Sequence, residues 1–132
     1  MAETIEIKTS KRIEFVDITD RLNSLVRSSG IKDGICFLHV SHTTAAITIN
    51  ENADPYVIND IINKINKLIP ASDCYSHTEG NSDAHIKSSI FGQTLNLMVE
   101  GSKLVLGTWQ GVYFCDFDGP RTRKIYVKFL CN

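Results

Sequence analysis

Hydrophobic positions along the chain switch between two periods. Near the N-terminus they alternate, Ile5 and Ile7 and then Ile13, Phe15 and Ile18, with polar residues between them. A period of two predicts two strands. Leu22, Leu25 and Val26 then fall at helical spacing, so a short helix is expected, capped by Thr19 or Asp20 and ended by Gly30. Lys32-Asp33-Gly34 marks a turn. From Ile35 to Val40 apolar residues occur on both parities, the pattern of a central strand covered on both sides. Ala45 to Asn50 reads as another strand. A helix follows, with Asp54 as cap and Pro55 in its first position. Val57, Ile58, Ile61, Ile62, Ile65, Leu68 and Ile69 give it one broad apolar face, and Pro70 lies just beyond. Residues 71–84 are polar and loop-like, and Ala84 to Phe91 reads as a short helix closed by Gly92. Strands are expected at Thr94–Val99, Leu104–Leu106, Thr108–Phe117 and Arg123–Leu130, with turns at Glu100-Gly101-Ser102 and at Asp118-Gly119-Pro120, the latter a hairpin signal. The whole predicts an α+β fold: a mostly antiparallel sheet or barrel-like core, one long amphipathic helix and one or two short helices. Without an internal repeat or linker, residues 1–132 form a single domain.

Composition narrows the class. The chain has 132 residues, 42% of them apolar and 22% charged, which excludes intrinsic disorder. Fourteen Lys plus Arg against fifteen Asp plus Glu give a net charge of −1, so no broad positive field invites nucleic acid as a partner. No apolar run approaches the roughly 18 residues of a membrane span. Met1-Ala2-Glu3-Thr4 lacks the basic and apolar regions of a signal peptide, so a cytoplasmic location is expected. The four cysteines, Cys36, Cys74, Cys115 and Cys131, form no CxxC pair. Cys36 and Cys115 read as buried thiols and Cys74 as an exposed one.

Three polar clusters carry the candidate chemistry. In the first, strand parity puts His42 on the face of Cys36, Leu38 and Val40, and His39 on the face of Ile35 and Phe37. His39 therefore reads as a packed core residue, separate from any site of His42. His42-Thr43-Thr44 and Asn50-Glu51-Asn52 are hard to bury unless paired or liganded. The second cluster is His77-Thr78-Glu79-Gly80-Asn81, followed by His85. Eight residues along one straight helix would separate the two imidazoles by about 12 Å, so a shared role needs a bent loop, which Gly80 and Asn81 permit. The third runs from Gly107-Thr108-Trp109-Gln110-Gly111 to Arg123. Counting back by twos from Phe129 reaches Arg123 and Arg121, so a regular strand would aim both guanidiniums inward. They would meet either an aspartate that fixes the hairpin or a phosphate-like anion.

HTTAAITINENADP at 42–55, HTEGNSDAHIKSS at 77–89 and LGTWQGVYFCDFDGPRTR at 106–123 together resemble the YjbQ-like family, described as secondary thiamine-phosphate synthase enzymes. The resemblance covers essentially the whole chain. It implies a compact α+β domain that assembles as a homotrimer. The family's histidines match His42, His77 and His85, and with them comes an expected divalent metal, zinc being the candidate ion. The implied activity couples hydroxymethylpyrimidine diphosphate to a thiazole phosphate and releases diphosphate.

A mechanism can be written on these residues. His42, His77 and His85 hold a metal or act as acid–base groups, and Glu79 and Glu51 serve as general base or supporting carboxylate. Arg121 and Arg123, with Asn81 and Thr108, bind the phosphate of a small-molecule substrate. One alternative is a metal-dependent hydrolase or lyase of a phosphorylated metabolite. Another is a trimeric small-molecule-binding protein without catalysis. The synthase needs an acidic cluster for a magnesium diphosphate, so Glu51, Glu79, Asp116 and Asp118 would have to converge.

Overall fold

A computed structural model describes residues 2–131. Met1 and Asn132, the two ends of the expected domain, lie outside the described residues. The chain runs β1 (Glu3–Lys8), β2 (Glu14–Asp17), α1 (Thr19–Ser29), β3 (Gly34–Val40), β4 (Ala45–Glu51), α2 (Pro55–Leu68), α3 (Ser82–Phe91), β5 (Thr94–Glu100), β6 (Lys103–Leu104), β7 (Gln110–Asp116) and β8 (Thr122–Cys131). All pairings are antiparallel, and the strands form two sheets: β1-β8-β3-β5-β6 and β2-β7-β4. The α+β expectation holds.

The apolar parities explain the layering. Ile5, Ile7, Cys36, Leu38, Ile125 and Val127 line the inner face of the larger sheet. They meet Ala45, Ile47, Val112 and Phe114 of the smaller one, with Leu22 and Val26 of α1 filling the end. The smaller sheet's other face, carrying Ala46, Tyr113 and Cys115, packs against Ile58 of α2 and Ala84 and Phe91 of α3. The strand covered on both sides is therefore β7, buried from Gly111 to Asp116. It is not β3, whose residues Ile35, Phe37 and His39 lie on an exposed outer face.

Local signals act largely as expected. Asp54 accepts a hydrogen bond from the Tyr56 N–H at the start of α2, and Gly30 ends α1 at φ 76°. The α1 cap differs: neither Thr19 nor Asp20 serves, and Asp17 Oδ1 instead accepts from the Thr19 N–H and hydroxyl. The long apolar face of α2 is only half covered, and no residue of that helix is fully buried. Leu104–Leu106 shrinks to the two-residue β6. Asp118-Gly119-Pro120 is not a hairpin turn, because β7 and β8 belong to different sheets and the chain crosses between them there. Among the described residues no helix is long and apolar enough to cross a membrane.

Candidate functional site

Three crossings between the sheets meet at one end of the sandwich: residues 9–13, 41–44 and 117–121. They are stitched together by backbone bonds from Thr9 to Arg121, Phe117 to Thr44 and Gly119 to Arg12, all 2.8–3.1 Å. Their centre is an ion pair. Arg123, 2% exposed, donates to Asp116 Oδ1 at 2.7 Å and to Thr44 Oγ1 at 2.8 Å. Asp116 Oδ2 accepts the Thr9 hydroxyl at 2.7 Å. Burial opposes the charge on Asp116, but these donors prevail and hold its pKa below the usual carboxylate value. A crossing stripped of sheet partners needs polar side chains to satisfy it, and this pair does that between two sheets.

His42 stands beside this pair in the 41–44 crossing. β3 ends at Val40, so the strand parity that seemed to govern His42 stops two residues earlier. Its Nε2 accepts the Lys124 backbone N–H at 3.0 Å, where the ladder between β3 and β8 runs out. That bond assigns the neutral ring's proton to Nδ1. Burial first, and Arg123 next, lower the His42 pKa and so favour the neutral ring.

His39, expected in the core and apart from His42, is exposed, stacks on Tyr126 at 6.5 Å between centroids, and lines the same cleft as His42. The cleft measures about 630 Å³ and is lined by His39, Val40, Ser41, His42, Thr43, His85, Ser89 and Gln93. Among the described residues it presents three imidazoles, three hydroxyls and an amide, and no carboxylate. α3 supplies His85 and Ser89. That helix is anchored by a group with no warning in the sequence beyond an i,i+4 spacing: Asp83, fully buried, takes a two-point bond from Arg12 (3.0 and 2.8 Å) and another from the buried Lys87 (2.8 Å). Burial pushes the Asp83 pKa up, but these bonds outweigh it and hold the value at about 2.

The bent loop does bring His77 to His85. Their ring centroids lie 5.4 Å apart, edge to face, and the two rings share a second, smaller hollow with Tyr75 and Ser82. His77 Nδ1 is 3.0 Å from Ser82 Oγ, and Glu79, exposed, comes within 3.8 Å of His77 Nε2. His85 thus lines both hollows and links His42's side to His77's.

Other expected site residues are elsewhere. Arg121 precedes β8 and is exposed, tied to the Asp118 carbonyl at 2.9 Å and its carboxylate at 3.2 Å, so it does not point inward. Arg123 does point inward, but onto Asp116 and Thr44, the fixing role weighed against anion binding. Asn81 donates to Asp118 Oδ2 at 2.9 Å and leaves its own Oδ1 buried without a partner. Glu51 and Thr108 lie at the opposite end of the smaller sheet: the register of β4 on β7 pairs Ala45 with Asp116 but Glu51 with Gln110. Six residues at roughly 3.4 Å each put Glu51 about 20 Å from the crossings, and it binds the Asp54 N–H at 3.2 Å.

The four carboxylates do not converge. Asp116 and Asp118 are committed to arginines, Glu79 stands by His77, and Glu51 is remote. Nor do the histidines make a closed metal set. Among the described residues no three His, Cys, Asp or Glu side chains are grouped to hold an ion, and His42 Nε2 is already occupied. One chain's residues, as arranged, do not fit a three-histidine centre.

A two-sheet α+β domain with an imidazole-lined cleft where its sheets exchange strands is the class that the geometry defines. The chain belongs to the UPF0047 protein YjbQ-like family, whose sequence pattern matches residues 3–132. It is 54% identical to a UPF0047 protein of Methanocaldococcus jannaschii over 125 residues, covering 95% of this chain and 91% of that one. It is 47% identical to YugU of Bacillus subtilis over 98% of this chain and 99% of that protein. Crystal structures share the fold. A YjbQ/UPF0047 family protein of Clostridium acetobutylicum superposes with a TM-score of 0.94 at 48% identity, covering 97% of this chain and 99% of the other. A Sulfolobus solfataricus relative, described as of unknown function, gives 0.94 at 37% identity over 100% and 97% of the two chains.

Proposed function

We propose that the cleft between His42 and His85 binds a phosphorylated small molecule, and that its imidazoles move protons in a hydrolase- or lyase-type step. The observation that carries this reading is the lining itself: imidazole, hydroxyl and amide groups converge with no carboxylate among them, a donor-rich environment that suits an anion. Neutral His42 offers its Nδ1–H to a phosphate oxygen. His85, with His77 against its edge, is the acid–base group, and Glu79 beside His77 supports it. The coupling of hydroxymethylpyrimidine diphosphate to thiazole phosphate has less support, because the carboxylates needed for a magnesium diphosphate are dispersed.

A second reading keeps a divalent ion, zinc as first candidate, on the His77–His85 pair, whose 5.4 Å approach favours it. Its remaining ligands would come from outside this arrangement. Elemental analysis of protein purified without chelators tests it: one ion per chain, lost in His77→Ala, supports the reading, and a metal-free protein removes it.

The assembly proposed is the homotrimer, in a cytoplasmic setting. The outer face of the larger sheet, with Phe37, Met98 and Leu130 exposed at 37%, 58% and 53%, is the apolar surface available for it. Assays of phosphorylated metabolites, the thiamine-phosphate coupling included, test the chemistry alongside oligomer mass. Loss of turnover by about 100-fold in His85→Ala with unchanged mass supports catalysis. Turnover that survives removal of His42, His77 and His85 together contradicts it. Ligand binding with no turnover in any assay, and loss of mass in the same variants, leaves the non-catalytic trimer.

A further inference from the structure

The smaller hollow, about 350 Å³ and lined by Tyr75, Ser76, His77, Ser82, His85 and Ile86, holds a pair that the cleft does not use. Ser82 is the first residue of α3 and only 7% exposed, yet it lines this hollow, and its hydroxyl stands 3.0 Å from His77 Nδ1. Gly80, at φ 84°, makes the turn that brings His77 back over the start of the helix. Glu79 Oε1 is 3.8 Å from the other ring nitrogen, Nε2. A carboxylate on that side favours the tautomer protonated at Nε2, so Nδ1 carries the lone pair and accepts from the Ser82 hydroxyl. A hydroxyl on an imidazole lone pair, with a carboxylate beyond the far nitrogen, is the arrangement that activates a serine as a nucleophile.

The surroundings suit acyl chemistry. Asn81 holds the capping position of α3 but does not cap it, because its side-chain amide donates to Asp118 Oδ2 at 2.9 Å instead. Among the described residues the Ser82 N–H has no partner, and the positive end of the helix lies next to the reacting hydroxyl. Asp83, the next residue, is committed to Arg12 and Lys87, so it does not compete for His77 and it fixes the start of α3 in place. Tyr75 has its hydroxyl tied to the Pro70 carbonyl at 2.6 Å, so with Ile86 it contributes apolar wall to the hollow. Such walls suit a short acyl chain, where the donor-rich cleft on the other side of His85 suits an anion.

We propose that Ser82 is a nucleophile, with His77 as its base, for the hydrolysis of short-chain carboxylic esters in the smaller hollow, an activity separate from the phosphorylated-ligand reading of the cleft. Ser82 Oγ attacks the ester carbonyl carbon and forms the new C–O bond while its proton passes to His77 Nδ1. The tetrahedral oxyanion, next to the positive end of α3, collapses; the bond to the alcohol oxygen breaks, and His77 returns the proton to the departing alcohol. Water then attacks the acyl group and gives a proton to His77. The bond between the acyl carbon and Ser82 Oγ breaks, and that proton goes back to Oγ, so ester and water become acid and alcohol. The lone pair of His77 that takes the serine proton is the one a zinc ion would need, so this use of the ring and the metal reading exclude one another.

Covalent labelling tests the pair without the natural ester. An alkyl fluorophosphonate, which phosphonylates activated serines, is expected to add one group per chain, found on Ser82 by peptide mass spectrometry. The adduct is read on the parent protein, so the result does not depend on the folding of a variant. Hydrolysis of p-nitrophenyl butyrate is expected to fall to the uncatalysed rate in Ser82→Ala and by about 100-fold in His77→Ala, with thermal midpoints equal to the parent's. A parent protein that gives no Ser82 adduct in excess reagent overturns the proposal. Hydrolysis that persists in Ser82→Ala also overturns it, because the imidazoles alone would then be responsible. Neither result bears on phosphate binding at His42, so this proposal and the reading of the cleft fail separately.

Discussion

Arg121 and Arg123 stand two residues apart and do different work. Arg123 is buried against Asp116, and removing either partner leaves an uncompensated charge inside the protein. Asp116→Ala is expected to cost about 3–5 kcal/mol, whereas Arg121→Ala, whose bond to Asp118 is open to solvent, costs under about 1 kcal/mol. Urea unfolding of both variants separates them, and equal losses would refute the division of roles. Asp83 gives a pH signature. Its folded pKa of about 2 lies below the unfolded carboxylate value, so its stabilising contribution is full above about pH 4 and is lost as pH falls toward 2. Asp83→Asn should be less stable than the parent at pH 7, and the gap should narrow at pH 2.5. A gap independent of pH would show that the charge on Asp83 is not what Arg12 and Lys87 hold. His42 has the same sign for a different reason. Its lowered folded pKa means that protonation opposes the fold, so its contribution is complete above the unfolded value near 6.5 and declines as pH falls below it. Imidazole resonances should show His42 titrating at lower pH than an exposed histidine, and a His42 midpoint at or above 6.5 would contradict the assigned environment.

Elements were legible wherever one physical signal dominated. The Asp54-Pro55 start of α2, the Gly30 and Gly92 ends of α1 and α3, and the alternation in β1 are local, and the structure follows them, whereas β2 keeps only Glu14–Asp17 of its expected span and Ile18 falls at the start of α1. What the residues do not carry locally is which sheet a strand joins. Asp118-Gly119-Pro120 has the composition of a hairpin turn, but the chain uses it to change sheets, and the counting that aimed Arg121 inward failed because β8 begins one residue after it. Apolar residues on both parities of β3 looked like double burial. They mark an inner face and an open outer one, and the doubly covered strand, β7, is identified only by α2 and α3 packing behind it. The crossing leaves little room: a Cβ on Gly119 would collide with the Lys11 carbonyl oxygen and stand 2.7 Å from Thr9 Oγ1. Gly119→Ala should therefore lower the thermal midpoint by several degrees or more, as about 1 kcal/mol shifts it by roughly 2–8 °C across small domains. An unchanged midpoint would mean that the crossing is loose.

At the scale of the whole molecule, the candidate site was half legible. His42, His77, His85 and Glu79 were singled out from local clusters, and the fold gathers them around two adjoining hollows. His39 was missed because strand parity alone placed it among apolar neighbours; that no layer among the described residues covers that face is a tertiary fact. Glu51 and Thr108 were grouped with the histidines although β4 and β7 carry them to the far end. The exposed outer face of the larger sheet, carrying Phe37, Met98 and Leu130, predicts self-association. Sedimentation should give a mass near three chains, and Leu130→Asp should shift it toward one. A parent protein that sediments as a monomer would contradict this. The central claim, that the imidazole-lined cleft receives a phosphorylated ligand, is tested most directly by following the four histidine ring signals in carbon–proton correlation spectra as inorganic phosphate and then phosphorylated metabolites are added. The account predicts that the His42 and His85 signals move together and saturably, and that the response is lost in His85→Ala. Signals that stay fixed at His42 and His85 throughout would contradict it.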